Sequence, residues 1–142
     1  MSLHELVYVS LAEHPMSREE LGELLGQARR HNLQSGITGL LIYRDREFMQ
    51  LIEGERDAVM QLYALIEGDR RHQQIYKMWD GPIAARSCSG WAMGFIEPTE
   101  SIVRSVPEGR LLLDEGLFAA GRASSGRRLL QHLRDQWLVA QA

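Results

Sequence analysis

At 142 residues, with 44% hydrophobic and 25% charged side chains, the chain is sized for one domain with a real core and room for a ligand pocket. A formal charge of −3 gives no electrostatic case for nucleic acid, no run of about 18 apolar residues is present to cross a membrane, and a single cysteine, Cys88, excludes an internal disulfide or a cysteine-rich zinc site. The first ten residues lack the basic start and long apolar stretch of a secretory signal, so a cytoplasmic location is expected.

Residues 4–10 alternate as a first strand, with Leu6, Tyr8 and Ser10 on one face and Val7 and Val9 on the other; the pattern leaves open which face meets the helices. A first helix is expected to start at Ser17, because Ser17-Arg18-Glu19-Glu20 reads as a capping box. Leu21, Leu24, Leu25 and Ala28 form its apolar stripe, with Arg29, Arg30 and His31 in its last turn. Asn32 either extends that stripe inward or closes the helix as a left-handed cap, and spacing slightly favours the cap.

The block GITGLLIYRDREFMQLIEG, residues 36–54, organises the rest of the chain. It reads as two strands joined by a polar turn at Arg44-Asp45-Arg46, the first nearly continuously apolar from Ile37 to Tyr43, as in a central strand. In the second, Phe48, Gln50 and Ile52 point one way, and Met49, Leu51 and Glu53 the other. Gln50 is the anomaly: an inward primary amide needs partners for its donors and its acceptor, supplied either by neighbouring backbone or by a ligand. Glu53 and Glu55 read as a strand end and a helix start.

A second helix is expected over 56–67, with Val59, Leu62, Tyr63 and Ile66 as its stripe and Gly68 as its stop, followed by Asp69-Arg70-Arg71-His72. A strand over 74–79 closes at Gly81-Pro82, and a last strand over 91–96 places Trp91, Met93 and Phe95 on one face. Beyond Pro98, residues 108–119 and 125–139 read as helices, the second with Leu129, Leu130, Leu133, Trp137 and Leu138 on one side. The order β-α-β-β-α-β-β predicts an α+β, ferredoxin-like sandwich. Its five-stranded sheet carries two helices on one face and a C-terminal helical cap. The divisions expected are a domain over 1–97 and an extension over 98–142, which either packs on the sheet or serves as output.

Phosphate-binding glycine loops and nucleophile elbows are missing from the sequence, and histidines 4, 14, 31, 72 and 132 show no metal-ligand spacing. No metal site and no enzymatic activity are expected, and Cys88 reads as a spectator thiol.

Tyr8, Asn32 and the pattern TGLLIY…F.Q..EG…DRRH, with Trp91-Ala92-Met93, are similar to the BLUF family of blue-light sensors over about residues 4–96. The resemblance implies a non-covalent flavin between the two helices, usually FAD, with FMN or riboflavin possible. Tyr8, Gln50, Trp91 and Met93 are implied as photoactive. Gln50 is placed between the ring's N5/O4 edge and Tyr8, and Asn32 on its carbonyl and imide edge. Arg71, beside Asp69, is placed at the O2 side or the phosphate, His31 and His72 near the ring or ribityl chain, and Ile37 and Ile66 on the ring faces. Two departures stand out: Cys88 replaces a frequent phenylalanine three residues before the tryptophan, and Ala28 stands where some members carry a serine. The function implied is blue-light sensing that signals to a partner protein, in a homo-oligomer without nucleic acid or membrane. The alternative is a light-insensitive ferredoxin-like small-molecule binding module. An acylphosphatase-like hydrolase needs an anion loop after the first strand, and the sequence has none there.

Overall fold

The computed structural model of the chain describes residues 2–88, 92–96, 125–126, 128–130 and 132. Seven elements follow in the order β1 (Leu3–Ala12), α1 (Arg18–Ser35), β2 (Thr38–Arg44), β3 (Glu47–Glu55), α2 (Arg56–Glu67), β4 (His72–Pro82) and β5 (Gly94–Ile96). They build one five-stranded sheet in the order β4-β1-β3-β2-β5, antiparallel except for β5, which runs parallel to β2. This is the expected α+β, ferredoxin-like arrangement.

The period of two along β1, β2 and β3 sorts the core into two layers. Leu6 and Tyr8 of β1, Leu41 of β2 and Phe48 and Ile52 of β3 meet Leu21, Leu24 and Leu25 of α1 and Val59 of α2. Both helices therefore cover the face that carries Tyr8. On the opposite, outer face Val7, Leu40, Ile42, Met49 and Leu51 pack with Cys88 and Leu130. Each fully buried side chain of this size contributes about 1.5–3 kcal/mol relative to exposure.

Residues 125, 126, 128–130 and 132 are helical, and Leu130 is fully buried against the outer face. Glu5, also buried there, accepts the backbone N–H of Gly126 at 2.7 Å and the indole N–H of Trp79 at 3.1 Å. The expected helix over 108–119, residues 133–139 of the second and Trp91 lie outside the described residues.

Helix α1 begins with the predicted capping box: Ser17 Oγ accepts the Glu20 N–H, and Glu20 Oε1 accepts the Ser17 N–H. Its end differs from expectation. Gly36, at φ 67°, is the left-handed cap, and its N–H and that of Ile37 both donate to the Asn32 carbonyl. A left-handed residue costs glycine little, so the helix runs on to it. Asn32 is thus a helical, buried residue, and Arg29, Arg30 and His31 stand a turn before the end rather than in the last turn.

The β2–β3 connection is tighter than the three-residue turn expected. Arg44 pairs with Glu47, and only Asp45 (φ 48°) and Arg46 (φ 73°) form the loop. Two successive positive φ values make a type I′ turn, whose twist matches a hairpin. Arg46 secures it by donating through its guanidinium to the Ala12 carbonyl at 3.0 and 3.2 Å.

Three further expectations are corrected. β4 extends beyond 74–79 to His72–Pro82, because β1 is long enough to pair with it from His4 to Ala12. β5 holds only three residues, with Ala92 and Met93 entering it as a bend. Glu53 is not a simple strand end: it is fully buried and accepts hydrogen bonds from Thr38 Oγ1 and from the Ser87 and Cys88 N–H groups.

Candidate functional site

A cavity of about 290 Å³ lies between α1 and α2 over the sheet. The strands contribute Tyr8, Leu41 and Gln50 to its wall; α1 contributes Leu24, Gln27, Ala28, His31 and Asn32; α2 contributes Leu62, Leu65 and Ile66; Asp69 and Arg71 close it beyond the end of α2. The wall is mostly apolar with a few convergent polar groups, the usual make-up of a small-molecule site.

The polar groups have distinct origins in the fold. Tyr8 and Gln50 are register partners across the β1–β3 ladder, so their side chains stand side by side on the helix face. The Tyr8 hydroxyl donates to Gln50 Oε1 in a short hydrogen bond. Gln50 Nε2 then donates to Met93 Sδ at 3.4 Å. Met93 is itself buried, and its backbone carbonyl accepts Arg29 Nε of α1 at 3.0 Å.

Asn32 faces the same space from α1. Its Nδ2 donates to the Ala92 carbonyl at 2.5 Å, while Oδ1 is buried with no hydrogen-bond partner among the described residues. At the far end Arg71 holds Asp69 through Nε at 3.1 Å and Nη2 at 2.7 Å, and the Arg71 backbone N–H also donates to Asp69 Oδ1. The Asp69 hydrogen bonds hold Arg71 more firmly cationic than usual. Burial foremost, then the Asp69 charge and nearby Tyr63, pushes the Tyr8 phenol far above its ordinary value, so Tyr8 is neutral.

The cavity wall thus brings together Tyr8, Asn32, Gln50, His31, Ile66, Asp69 and Arg71 of the residues singled out in the sequence. Met93 stands behind Gln50. Ile37 does not reach the wall: it is buried deeper in the helix-side core, 2% exposed and close to Gly54. His72 opens β4, and the structure describes its backbone only. Trp91 lies outside the described residues. The sequence reading missed Gln27, which follows Leu24 and precedes His31 at helical spacing, and the role of Arg29, which read only as a last-turn cation and in the structure donates to the Met93 carbonyl.

A family profile described as "BLUF: Sensors of blue-light using FAD" matches residues 3–94. The chain belongs to the BLUF family. That family is one of blue-light sensors that use a flavin. Among curated proteins, this BLUF chain is 36% identical over 107 residues to a photoactivated adenylate cyclase subunit beta of Euglena longa, which covers 75% of this chain but only 12% of that protein. The chain therefore spans about an eighth of that curated relative. Among solved structures, it is similar to the dark state of BlrB, a BLUF protein (31% identity, TM-score 0.68, 92% of this chain and 96% of that one). It also resembles a manganese and cyclic diGMP complex of Klebsiella pneumoniae BlrP1 (26% identity, TM-score 0.74, 94% of this chain and 33% of that one). No helix among the described residues of the BLUF chain is long and apolar enough to cross a membrane.

Proposed function

We propose that the cavity between α1 and α2 holds the ring of a non-covalently bound FAD, and that Tyr8, Gln50 and Met93 form the light-responsive unit. Asn32 carries this reading. Asn32 lines the cavity, its Oδ1 has no hydrogen-bond partner among the described residues, and a buried acceptor left unpaired costs about 1–3 kcal/mol. An imide N–H at the ring edge is the donor it lacks. The volume, about 290 Å³, suits the planar part of a flavin rather than a whole dinucleotide, so FMN and riboflavin fit the same wall. FAD is the form that the family description names. Ile66 and Leu62 supply apolar contact for a ring face, His31 and Gln27 supply polar edges, and Arg71 supplies positive charge for a carbonyl or phosphate oxygen.

Blue light makes the bound flavin a strong oxidant. Tyr8 is the donor at hand: a neutral, buried phenol whose proton already points at Gln50 Oε1. Losing an electron makes the phenol strongly acidic, so electron and proton leave together, the proton moving to Gln50. A protonated Oε1 becomes a donor and the amide rotates or tautomerises, which changes the atom presented to Met93 Sδ and to the cavity. When electron and proton return to Tyr8, both side chains are chemically unchanged but differently bonded. A hydrogen bond worth about 0.5–1.5 kcal/mol net is a modest, reversible bias.

In this reading residues 1–97 are the sensing unit and 98–142 its extension; Leu130 on the outer face favours an extension that packs on the sheet. The unit works by contact, without a catalytic step of its own, on a partner protein or linked effector, as a cytoplasmic homo-oligomer. The test is the absorption of the purified protein before and after blue illumination. A yellow protein with a small, reversible red shift is expected. A bound flavin whose spectrum ignores light would leave a light-insensitive binding module, and a protein that takes up no added flavin would overturn the reading.

A further inference from the structure

Among the described residues, Glu53 is fully buried on the face of the sheet away from the cavity, and the photochemistry just described does not use it. Its carboxylate gathers three donors: the Cys88 N–H at 2.6 Å and Thr38 Oγ1 at 2.9 Å on one oxygen, and the Ser87 N–H at 2.8 Å on the other. Arg86 adds a second tie, donating to Thr38 Oγ1 at 2.9 Å and to the Gly36 carbonyl at 2.7 Å. The start of the β4–β5 connection is thus fastened to β2 and β3 by one carboxylate and one guanidinium.

Four residues after Cys88 the chain delivers the groups that the site relies on: the Ala92 carbonyl on Asn32 and Met93 Sδ on Gln50. Gly94 then pairs with Leu40. The connection is therefore held at both ends, and its second end is part of the photosite. A carboxylate buried in an apolar layer is expensive unless it is hydrogen-bonded, and the two backbone N–H groups that bond Glu53 belong to residues six and five before Met93.

We propose that Glu53 is a positioning residue of the photosite, acting through its ties to Ser87 and Cys88 to set where Ala92 and Met93 stand against Asn32 and Gln50. The inference rests on the reading of Tyr8, Gln50 and Met93 as the light-responsive unit. Removing the carboxylate leaves the Ser87 and Cys88 N–H groups without their acceptor, and the connection opens more often. Met93 then samples positions away from Gln50, so the rate at which the dark state returns changes.

The test uses the full flavin-loaded chain as wild type, Glu53→Ala, Glu53→Gln and Val7→Ala. Val7 is buried in the same outer layer, so Val7→Ala reports a loss of packing without loss of the carboxylate. Two readouts are followed: the dark-recovery rate after blue light, and the rate at which Cys88, the only cysteine and 1% exposed, reacts with a thiol reagent in the dark. Labelling of Glu53→Ala is expected to rise about tenfold or more, with dark recovery altered about threefold or more. Glu53→Gln, which keeps one accepting oxygen, should fall between it and wild type and serves if the alanine variant does not fold. Val7→Ala should match the drop in melting temperature with neither change. Wild-type labelling in both Glu53 variants, or faster labelling with unaltered recovery, would overturn the proposal. If the wild type shows no light-induced shift, the photosite reading fails and the proposal with it, while labelling still shows whether Glu53 holds the connection.

Discussion

Tyr8 and Gln50 stand opposite each other in the β1–β3 ladder, with the phenol donating to the amide oxygen and the amide nitrogen donating to Met93 Sδ. This chain of three side chains has one polarity: every proton points from Tyr8 towards Met93. Turning the amide over would let its nitrogen donate to the Tyr8 oxygen and would break the link to Met93, whose thioether sulfur has no proton to give, without moving any backbone.

Tyr8→Phe and Gln50→Leu both break this chain and are expected to abolish the light-induced red shift while flavin stays bound. Tyr8→Phe keeps the ring packed near Tyr63, at a centroid distance of 6.0 Å, and removes one hydrogen bond, so stability should fall by only about 1–2 kcal/mol. Difference spectroscopy and urea unfolding check the two halves of the prediction. A normal shift in Gln50→Leu would contradict the assignment.

Asn32→Ala should weaken flavin binding about 10- to 100-fold, the equivalent of about 1.4–2.8 kcal/mol, because the ring edge loses its acceptor. The apo protein should change less, since it loses only the tie to the Ala92 carbonyl and is relieved of an orphaned Oδ1. Titrating apo protein with flavin, alongside apo melting curves, separates the two effects.

Glu53 should make stability depend on pH. Burial raises its pKa, and the Ser87, Cys88 and Thr38 hydrogen bonds and the Arg86 charge offset this only in part. Besides Arg86, the ionisable group facing it across the strands is Glu5, its register partner on β1. With the folded-state pKa above the unfolded one, Glu53's contribution is fully present below the ordinary glutamate range and is lost as pH rises through the folded-state value. Relative to Glu53→Gln, wild-type stability should therefore decline as pH is raised from about 4.5 towards neutrality, measured by urea unfolding at stepped pH.

Gly39→Ala should cost more than an ordinary glycine substitution in a strand. A Cβ at Gly39 would lie 2.4 Å from the Leu51 carbonyl oxygen and 3.2 Å from Met93 Cε. The backbone of β2 or β3 must shift, so a loss of about 2–3 kcal/mol is expected, with a changed dark-recovery rate because Met93 is displaced. Melting curves and recovery kinetics check it.

The alternation of apolar residues, the capping box at Ser17–Glu20 and the stop at Gly68 were enough to fix the element order and to sort each strand into two faces, but the face of β1 that meets the helices was decided by the β1–β3 register, which sets Tyr8 beside Gln50. These are local signals, carried by side-chain period and by backbone groups that must be satisfied within a turn or two. What the sequence left open depended on distant partners. Asn32 reads as a cap or as an inward group until Gly36 takes the left-handed position and Ala92 arrives from sixty residues away. Glu53 reads as a strand end until Ser87 and Cys88 close over it. Met93 becomes Gln50's neighbour only when β5 pairs with β2. A pattern of residues records which faces are apolar, but the burial of a polar group is decided by whichever remote segment folds back to satisfy it.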